Sequence, residues 1–211
     1  MSWVRGFVSV AMLMLTAFAS AQGYPAKTVR LIVPFPPGGS TEVMARTIAT
    51  QLTQMWGQQI IIDNRPGASG IIGTELGVRA VPDGYTLLMG SAGPLTILPH
   101  MQKLTYDSLK DVTPIVNVAG VPNVIATHPS VPARDARELI ALARARPDQL
   151  TFASNGSGTP GHLAGELLKA MTATRMTHVP YKGAAPSTLA AMAGEVSMVI
   201  TTTTAVLPQA K

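Results

Sequence analysis

Two glycine-rich stretches of the sequence could bind an anion. Residues 36–42 read PPGGSTE and residues 154–161 read SNGSGTPG, and each follows a short apolar run. A glycine-rich turn at the start of a helix leaves backbone N–H groups without partners, and the helix dipole places partial positive charge behind them. Serine and threonine hydroxyls add donors for a carboxylate or a phosphate. Either stretch alone is typical of a tight turn, whereas two together favour a binding cleft.

The second stretch also matches the glycine pattern of dinucleotide-binding folds, through Gly156, Gly158 and Gly161. Recognition of the ribose in such folds needs an acidic side chain near the end of the next strand. Between Glu166 and Glu195 the sequence contains no acidic residue. The pattern therefore favours a turn over a nicotinamide or flavin site, and we expect no cofactor.

Cysteine and histidine offer little for metal binding or nucleophilic catalysis. The chain has no cysteine, which excludes disulfides, thiolate zinc sites and cysteine nucleophiles. The four histidines show no metal-ligand spacing, so we expect no metal. His162 begins the helix behind the second glycine-rich stretch, where a ligand contact and a structural role agree equally well with the sequence.

Residues 180–183, which read PYKG, follow another apolar run. An open α/β sheet binds its ligands at the carboxyl ends of its strands. There, Tyr181 could cover a ligand with its ring and donate through its hydroxyl, and Lys182 could offer a charge to a carboxylate. The alternative for Lys182 is a solvated turn.

Short apolar runs alternate with helical patterns along the chain, which predicts an α/β fold of mainly parallel sheets with helices on both faces. The predicted strands are residues 29–35, 59–62, 85–89, 115–118, 124–127, 150–153, 176–179 and 196–201. We expect Ser40 or Thr41 to cap the first helix and Gly57 to end it. The later predicted helices are residues 71–78, 133–146, 162–168 and 185–192.

The pattern loosens between residues 90 and 114, which indicates a connection between two lobes. We expect a first lobe over residues 22–114 and a second over residues 115–211. One strand, glycine loop and helix unit then lies in each lobe.

Residues 1–21 have the pattern of a cleavable export signal. Arg5 supplies a positive charge, residues 6–18 form an uncharged apolar run, and residues 19–21 read ASA, with small residues where a signal peptidase cuts. A membrane anchor is the alternative, but the run is short for a span of about 20 residues. We expect a periplasmic protein.

The composition argues against disorder and against nucleic-acid binding. The 211 residues are 46% hydrophobic and 13% charged, with a formal net charge of +5. The basic residues are scattered and aromatic residues make up only 5%, which favours a solvated basic surface over a nucleic-acid interface. A modest positive field would help to attract anions.

Five ordered motifs resemble the substrate-binding proteins of the tripartite tricarboxylate transporters, the Bug receptors. The motifs are residues 30–41 (RLIVPFPPGGST), 63–68 (DNRPGA), 82–88 (PDGYTLL), 154–162 (SNGSGTPGH) and 178–183 (HVPYKG). The resemblance implies a two-lobed periplasmic binding protein of type II, a Venus flytrap. It also implies that the protein closes on a small carboxylic acid, delivers it to membrane permease subunits, and is a monomer when complete.

In this family the first loop, which matches residues 35–41, holds a carboxylate through backbone N–H groups and bridging waters. The second loop matches residues 154–159. We expect the N-termini of the two following helices to converge on one carboxylate. The predicted ligand-binding residues are Phe35, Gly38, Gly39, Ser40, Thr41, Ser91, Ser154, Asn155, Ser157, Gly158, Thr159, His162, Tyr181 and Lys182.

The chain departs from the family pattern in three places. Glu42 stands where relatives usually have aspartate. Residues 201–204 read TTTT where relatives often have an aspartate or a similar polar residue, so no contact is carried over there. Relatives also run on well beyond Lys211, so we expect the C-terminal return to the first lobe to be absent.

Two competing hypotheses remain. A doubly wound α/β enzyme, a hydrolase or an oxidoreductase, is disfavoured because the sequence shows no nucleophile–base pair, metal cluster or cofactor signature. A truncated receptor that does not bind is the other hypothesis, since an incomplete lobe would expose a sheet edge.

Overall fold

The computed structural model describes residues 23–210. The predicted export signal at residues 1–21 lies outside them. Within residues 23–210, no helix is long and apolar enough to cross a membrane.

The described chain alternates strands and helices. The strands are β1 (Val29–Val33), β2 (Ile60–Asn64), β3 (Thr86–Leu88), β4 (Asn123–Thr127), β5 (Thr151–Ser154), β6 (Thr177–Pro180) and β7 (Met198–Thr202). The helices are α1 (Ser40–Trp56), α2 (Ile71–Val78), α3 (Ala136–Ala145), α4 (Pro160–Thr172), α5 (Ala184–Met192) and α6 (Thr203–Val206). Short 3₁₀ turns lie at Ala68–Gly70 and Leu98–His100, and a π-helical turn lies at Gly93–Ile97.

The strands form two sheets. The first has the order β2-β1-β3 and is parallel throughout, with Leu31 opposite both Ile62 and Leu87. The second has the order β4-β7-β5-β6, in which only the β4–β7 pair is antiparallel. The predicted α/β class with mainly parallel sheets is confirmed.

Both faces of the first sheet's central strand, β1, are buried. Val29, Leu31 and Val33 alternate along β1 and pack against α1, whose Ala45 and Ala49 allow the helix to come close. Each such aliphatic side chain contributes about 1.5–3 kcal/mol when it leaves water. The next residue along, Ile32, is fully buried on the opposite face of the strand.

In the second sheet, strand β7 is likewise buried on both faces. Met198 and Ile200 pack in one core with Leu139 of α3, and Val199 packs in another with Ala190 of α5. Alternate side chains therefore enter cores on opposite faces of the sheet, so helices cover both faces. This arrangement fixes the carboxyl end of β5, where the predicted second loop begins, and that of β6, where residues 180–183 follow.

The predicted strand at residues 115–118 is wrong. The segment has no regular structure and pairs with no strand of the described residues. Ile115 and Val116 are 78% and 75% exposed. An apolar run forms a strand only beside another strand, because its backbone N–H and C=O groups need partners.

Two helix starts also differ from the predicted ones. Gly39, rather than Ser40 or Thr41, is the N-cap residue of α1, and no side chain caps this helix. Helix α3 begins later than predicted, because the Asp135 carboxylate accepts a hydrogen bond from the backbone N–H of Glu138.

The contact between α4 and β7 gives a test of the second core. A Cβ on Gly161 would lie 2.2 Å from the backbone oxygen of Ile200, which cannot rotate away. We expect Gly161→Ala to lower the free energy of unfolding by about 1–3 kcal/mol in urea titration. Gly120→Ala is the control, since no atom lies within 4 Å of a Cβ there. Equal midpoints for the two variants would contradict the close packing.

Candidate functional site

A cavity of about 220 Å³ lies where loops of the two sheets meet. Its walls come from the carboxyl ends of β1, β2, β5 and β6, the edge at which open α/β sheets bind ligands. The lining residues are Phe35, Gly67, Ala68, Ser69, Gly70, Asn155, Gly156, Ser157, Pro180, Tyr181 and Lys182.

The first wall is a turn with an uncommon backbone. Gly67, Ala68, Ser69 and Gly70 all have positive φ, at 138°, 45°, 54° and 94°. Left-handed conformations cost a residue with a Cβ roughly 1–2 kcal/mol, so the surrounding structure must hold Ala68 and Ser69 in place. Gly70 is also the N-cap residue of α2, which brings the positive end of that helix dipole to the wall.

Phe35 is fixed against this turn from the side of β1. The Asn64 amide donates a hydrogen bond of 2.9 Å to the backbone oxygen of Phe35. A Cβ on Gly70 would lie 3.0 Å from the tip of the Phe35 ring. The ring therefore forms an apolar side of the cavity beside a polar turn.

The charged cluster next to the first wall holds one carboxylate and two guanidinium groups. Asp63 accepts hydrogen bonds from Arg30 and Arg65. Their Nε groups donate to its two carboxylate oxygens at 2.7 and 2.8 Å. Burial acts to raise the pKa of Asp63, but the hydrogen bonds and charges of the two guanidinium groups outweigh it and lower that pKa. The carboxylate is thus ionised, and its two cationic partners leave the cluster with one net positive charge.

The second wall, residues 155–157, is held by side chains beneath it. The Asn155 side-chain oxygen accepts hydrogen bonds from Thr201 Oγ1 at 2.7 Å and Ser187 Oγ at 3.3 Å. The Gly156 carbonyl accepts one from Thr159 Oγ1 at 2.6 Å. The wall is therefore anchored to β7, α5 and the start of α4 together.

The third wall adds an aromatic ring and a cation. The Tyr181 backbone N–H donates to the Ser154 carbonyl at 3.1 Å, which extends the β5–β6 pairing into the loop. The Tyr181 hydroxyl donates to Glu195 at 3.2 Å. Burial raises the pKa of Tyr181, and the hydrogen bond and charge of Glu195 raise it further. This hydroxyl is thus engaged by Glu195 rather than offered to a ligand. Lys182 is exposed and is the charged residue among those lining the cavity.

The structure brings five predicted binding residues to the cavity and places the others elsewhere. Those that line it are Phe35, Asn155, Ser157, Tyr181 and Lys182. Those that do not are Gly38, Gly39, Ser40, Thr41, Ser91, Ser154, Gly158, Thr159 and His162. The expected convergence of the N-termini of α1 and α4 on one point is therefore not seen in this cavity.

The first predicted loop packs against α5 instead. A Cβ on Gly38 would lie 3.3 Å from Cβ of Ala185, and one on Gly39 would lie 3.6 Å from Cβ of Ala184. Ser40 is 9% exposed. The loop is therefore an interface between the two sheets.

The second predicted loop uses several of its side chains internally. Ser154 is fully buried and Thr159 is 2% exposed. The His162 Nδ1 atom accepts a hydrogen bond of 3.1 Å from the Gly158 backbone N–H. Ser91 Oγ is buried with no hydrogen-bond partner among the described residues.

Ser154 and His178 form a serine–histidine contact that the sequence did not reveal. Ser154 Oγ lies 2.7 Å from Nε2 of His178. A nucleophile must reach its substrate, and Ser154 is 0% exposed, so the contact has a structural role. Within residues 23–210, no three histidine, aspartate or glutamate side chains lie close enough together to hold a metal ion.

Six further residues line the cavity without having been predicted from the sequence: Gly67, Ala68, Ser69, Gly70, Gly156 and Pro180. For the turn, the available signal was RPGASG between a predicted strand and a predicted helix. Like the glycine-rich stretches at residues 36–42 and 154–161, this turn follows a parallel strand and combines glycines with small residues.

His178 gives this region a pH dependence. Burial first, then the neighbouring charge of His162, lowers its pKa from 6.5 to about 4, while Glu166 acts in the opposite direction and Lys169 in the same one. The unfolded chain therefore takes up this proton at higher pH than the folded chain. Its contribution to stability is complete above pH 6.5 and is lost as the pH falls towards 4.

We expect His178→Gln to flatten the decline of the urea midpoint between about pH 7 and pH 4.5. Glutamine offers polar atoms to Ser154 but does not titrate. His100→Gln, at an exposed residue, is the matched control and should retain the wild-type decline. An unchanged decline in His178→Gln would show that this imidazole does not couple to folding.

Comparisons with known proteins agree with this architecture. The model of the TctC family, described as tripartite tricarboxylate transporter family receptor, matches residues 44–211. Protein BugT of Bordetella pertussis is 40% identical over 195 residues, which cover 92% of this chain and 60% of BugT.

Two solved structures share the fold. One, described as a periplasmic transporter, has a TM-score of 0.86 at 36% identity and covers 89% of this chain and 63% of its own. The other, R. palustris Rpa4515 with adipate, has a TM-score of 0.84 at 37% identity and covers 88% of this chain and 62% of its own.

The chain spans about 60% of the length of the BugT sequence that it matches. Its fold is that of a type II periplasmic binding protein, with two mainly parallel α/β lobes. The family match covers most of the chain and the identity to BugT extends over nearly all of it. The chain therefore belongs to the receptor family of the tripartite tricarboxylate transporters.

Proposed function

We propose that the chain binds a small carboxylic acid in the cavity between the two sheets. The observation that carries this proposal is the chemistry of the lining: a turn at the N-terminus of α2, hydroxyls of Ser69 and Ser157, the Asn155 amide and the Lys182 ammonium. No aspartate or glutamate is among the lining residues. Such a wall attracts an anion and offers it several donors.

The arrangement limits the cost of holding an anion away from water. A buried, unpaired cation is expensive, but Lys182 is exposed and stays hydrated until a ligand arrives. The remaining polar groups are neutral and are already ordered by the fold, so binding them costs little conformational entropy. Phe35 and Tyr181 add aromatic surface for the carbon chain of an acid.

The relatives support an acid as ligand. The R. palustris protein, 37% identical to this chain, was solved with adipate. Adipate carries a carboxylate at each end of an apolar chain, which suits a cavity with polar walls and aromatic sides. Adipate is therefore the first probe for this chain.

We further propose that residues 22–114 and 115–211 are the two lobes and that they close on the acid as a hinge. The export signal predicted at residues 1–21 supports action in the periplasm. The family match supports delivery of the bound acid to the membrane permease subunits of a tripartite transporter. Receptor function, rather than catalysis, is the proposed activity.

Calorimetric titration with a charged acid and its neutral amide tests the proposal. We expect adipate to bind and adipamide, its neutral counterpart of nearly the same size, to bind at least about tenfold more weakly. A panel of mono-, di- and tricarboxylates is titrated under the same conditions. If no acid in the panel binds, or if adipamide equals adipate, the proposed function is wrong.

Lys182→Met tests the contribution of the cation. Methionine keeps an unbranched side chain but removes the charge, and we expect the affinity for the best acid to fall by about fivefold, the scale of an exposed charge pair. Lys110→Met is the matched control, because Lys110 pairs with Asp107 and does not line the cavity. An equal loss in both variants would indicate a general field effect instead of a contact at the cavity.

A further inference from the structure

Two stacked histidines lie behind the second wall of the cavity. The rings of His162 and His178 have their centroids 4.2 Å apart, with an angle of 26° between their planes. His162 Nδ1 accepts the Gly158 N–H at 3.1 Å, and His178 Nε2 contacts Ser154 Oγ at 2.7 Å. The pair therefore contacts the loop on both sides of the cavity-lining residues 155–157.

The two contacts differ in what they require of the ring. A backbone N–H only donates, so His162 Nδ1 must carry no proton. A serine hydroxyl both donates and accepts, so His178 Nε2 can meet Ser154 Oγ in either role. Protonation of His162 would place an N–H against the N–H of Gly158, and this hydrogen bond would be lost.

The other hydrogen bonds of the loop do not replace it. Ser154 Oγ and Thr159 Oγ1 bond the backbone of Gly156, at 3.2 and 2.6 Å. The next peptide, between Ser157 and Gly158, is held through His162. Since Ser157 lines the cavity, the position of this wall depends on an unprotonated ring.

The charged groups around the pair come from one element. On α4, Glu166 and Lys169 bond each other at 2.9 Å, and both act electrostatically on His178 of β6. The residues of β5 packed against the pair, Phe152 and Ser154, carry no charge. A proton gained by His162 would therefore add positive charge next to His178, on which Lys169 and Glu166 act with opposite signs.

We propose that His162 is a positioning residue: as a neutral acceptor it fixes the Ser157–Gly158 peptide in the cavity wall, and its protonation releases that wall. The order of the wall is therefore pH-dependent. We expect acid binding to weaken when the wall is released, and this expectation rests on the proposed function. The pH dependence of the wall does not rest on it.

Amide hydrogen exchange of the full chain, followed by NMR without ligand, tests this at Gly158. Protection is corrected for the intrinsic pH dependence of exchange and expressed relative to core amides of β7, which separates local release from global unfolding. In the wild-type protein we expect the relative protection of Gly158 to fall by roughly fivefold between about pH 8 and pH 5, the scale of one hydrogen bond.

His162→Asn is the informative variant, because the asparagine side-chain oxygen can replace Nδ1 as acceptor but cannot be protonated. We expect it to keep Gly158 protected at both pH values. His162→Leu removes the acceptor and should leave Gly158 unprotected at both.

His128→Asn is the matched control. His128 Nδ1 likewise accepts a backbone N–H, that of Ser130 at 3.2 Å, and it is not a cavity residue. This variant should retain the wild-type pH dependence at Gly158, and so should His178→Gln. The proposal is overturned if wild-type protection does not change with pH, if His162→Asn retains the change, or if His178→Gln abolishes it.

Discussion

The two sheets meet through loops that come closer than side chains would allow. A Cβ on Gly183 would lie 2.7 Å from the Pro36 ring, and one on Gly156 would lie 2.5 Å from Ser69 Oγ. At each of these points the backbone of a glycine in a loop of the second sheet contacts a side chain in a loop of the first. The cavity depends on this approach, since a side chain at either glycine would push the two loops apart.

The order of strands and helices follows from local patterns, and the sequence predicts most of it for that reason. Helix α2 was predicted with its observed bounds, because its apolar spacing and flanking glycines are contained in one short window. Pairing between distant segments is not contained in such a window. Residues 115–118 have the composition of a strand, yet no partner lies beside them, and the antiparallel pairing of β4 with β7 could not be anticipated from either alone.

The sequence predicts those cavity residues that lie in loops directly after parallel strands. Asn155 and Tyr181 were found because a loop after a parallel strand faces the ligand side of a sheet. The turn of Ala68 and Ser69 was missed because neither residue type favours positive φ, so the sequence carries no direct sign of it. The acceptor role of His162 was equally invisible, since it depends on how the loop folds back over the start of α4.

Strand β7 also determines when the second sheet can form. It lies between β4 and β5, so β4 has no partner in the sheet until Met198–Thr202 exist. Within residues 23–210, the last strand of the first sheet along the chain is β3, which ends at Leu88. At the usual synthesis rate of about 5–20 residues per second, the apolar strands of the second sheet wait several seconds longer than those of the first. Among the strands of residues 23–210, those of the first sheet are therefore made before those of the second, and β4 waits longest for a partner.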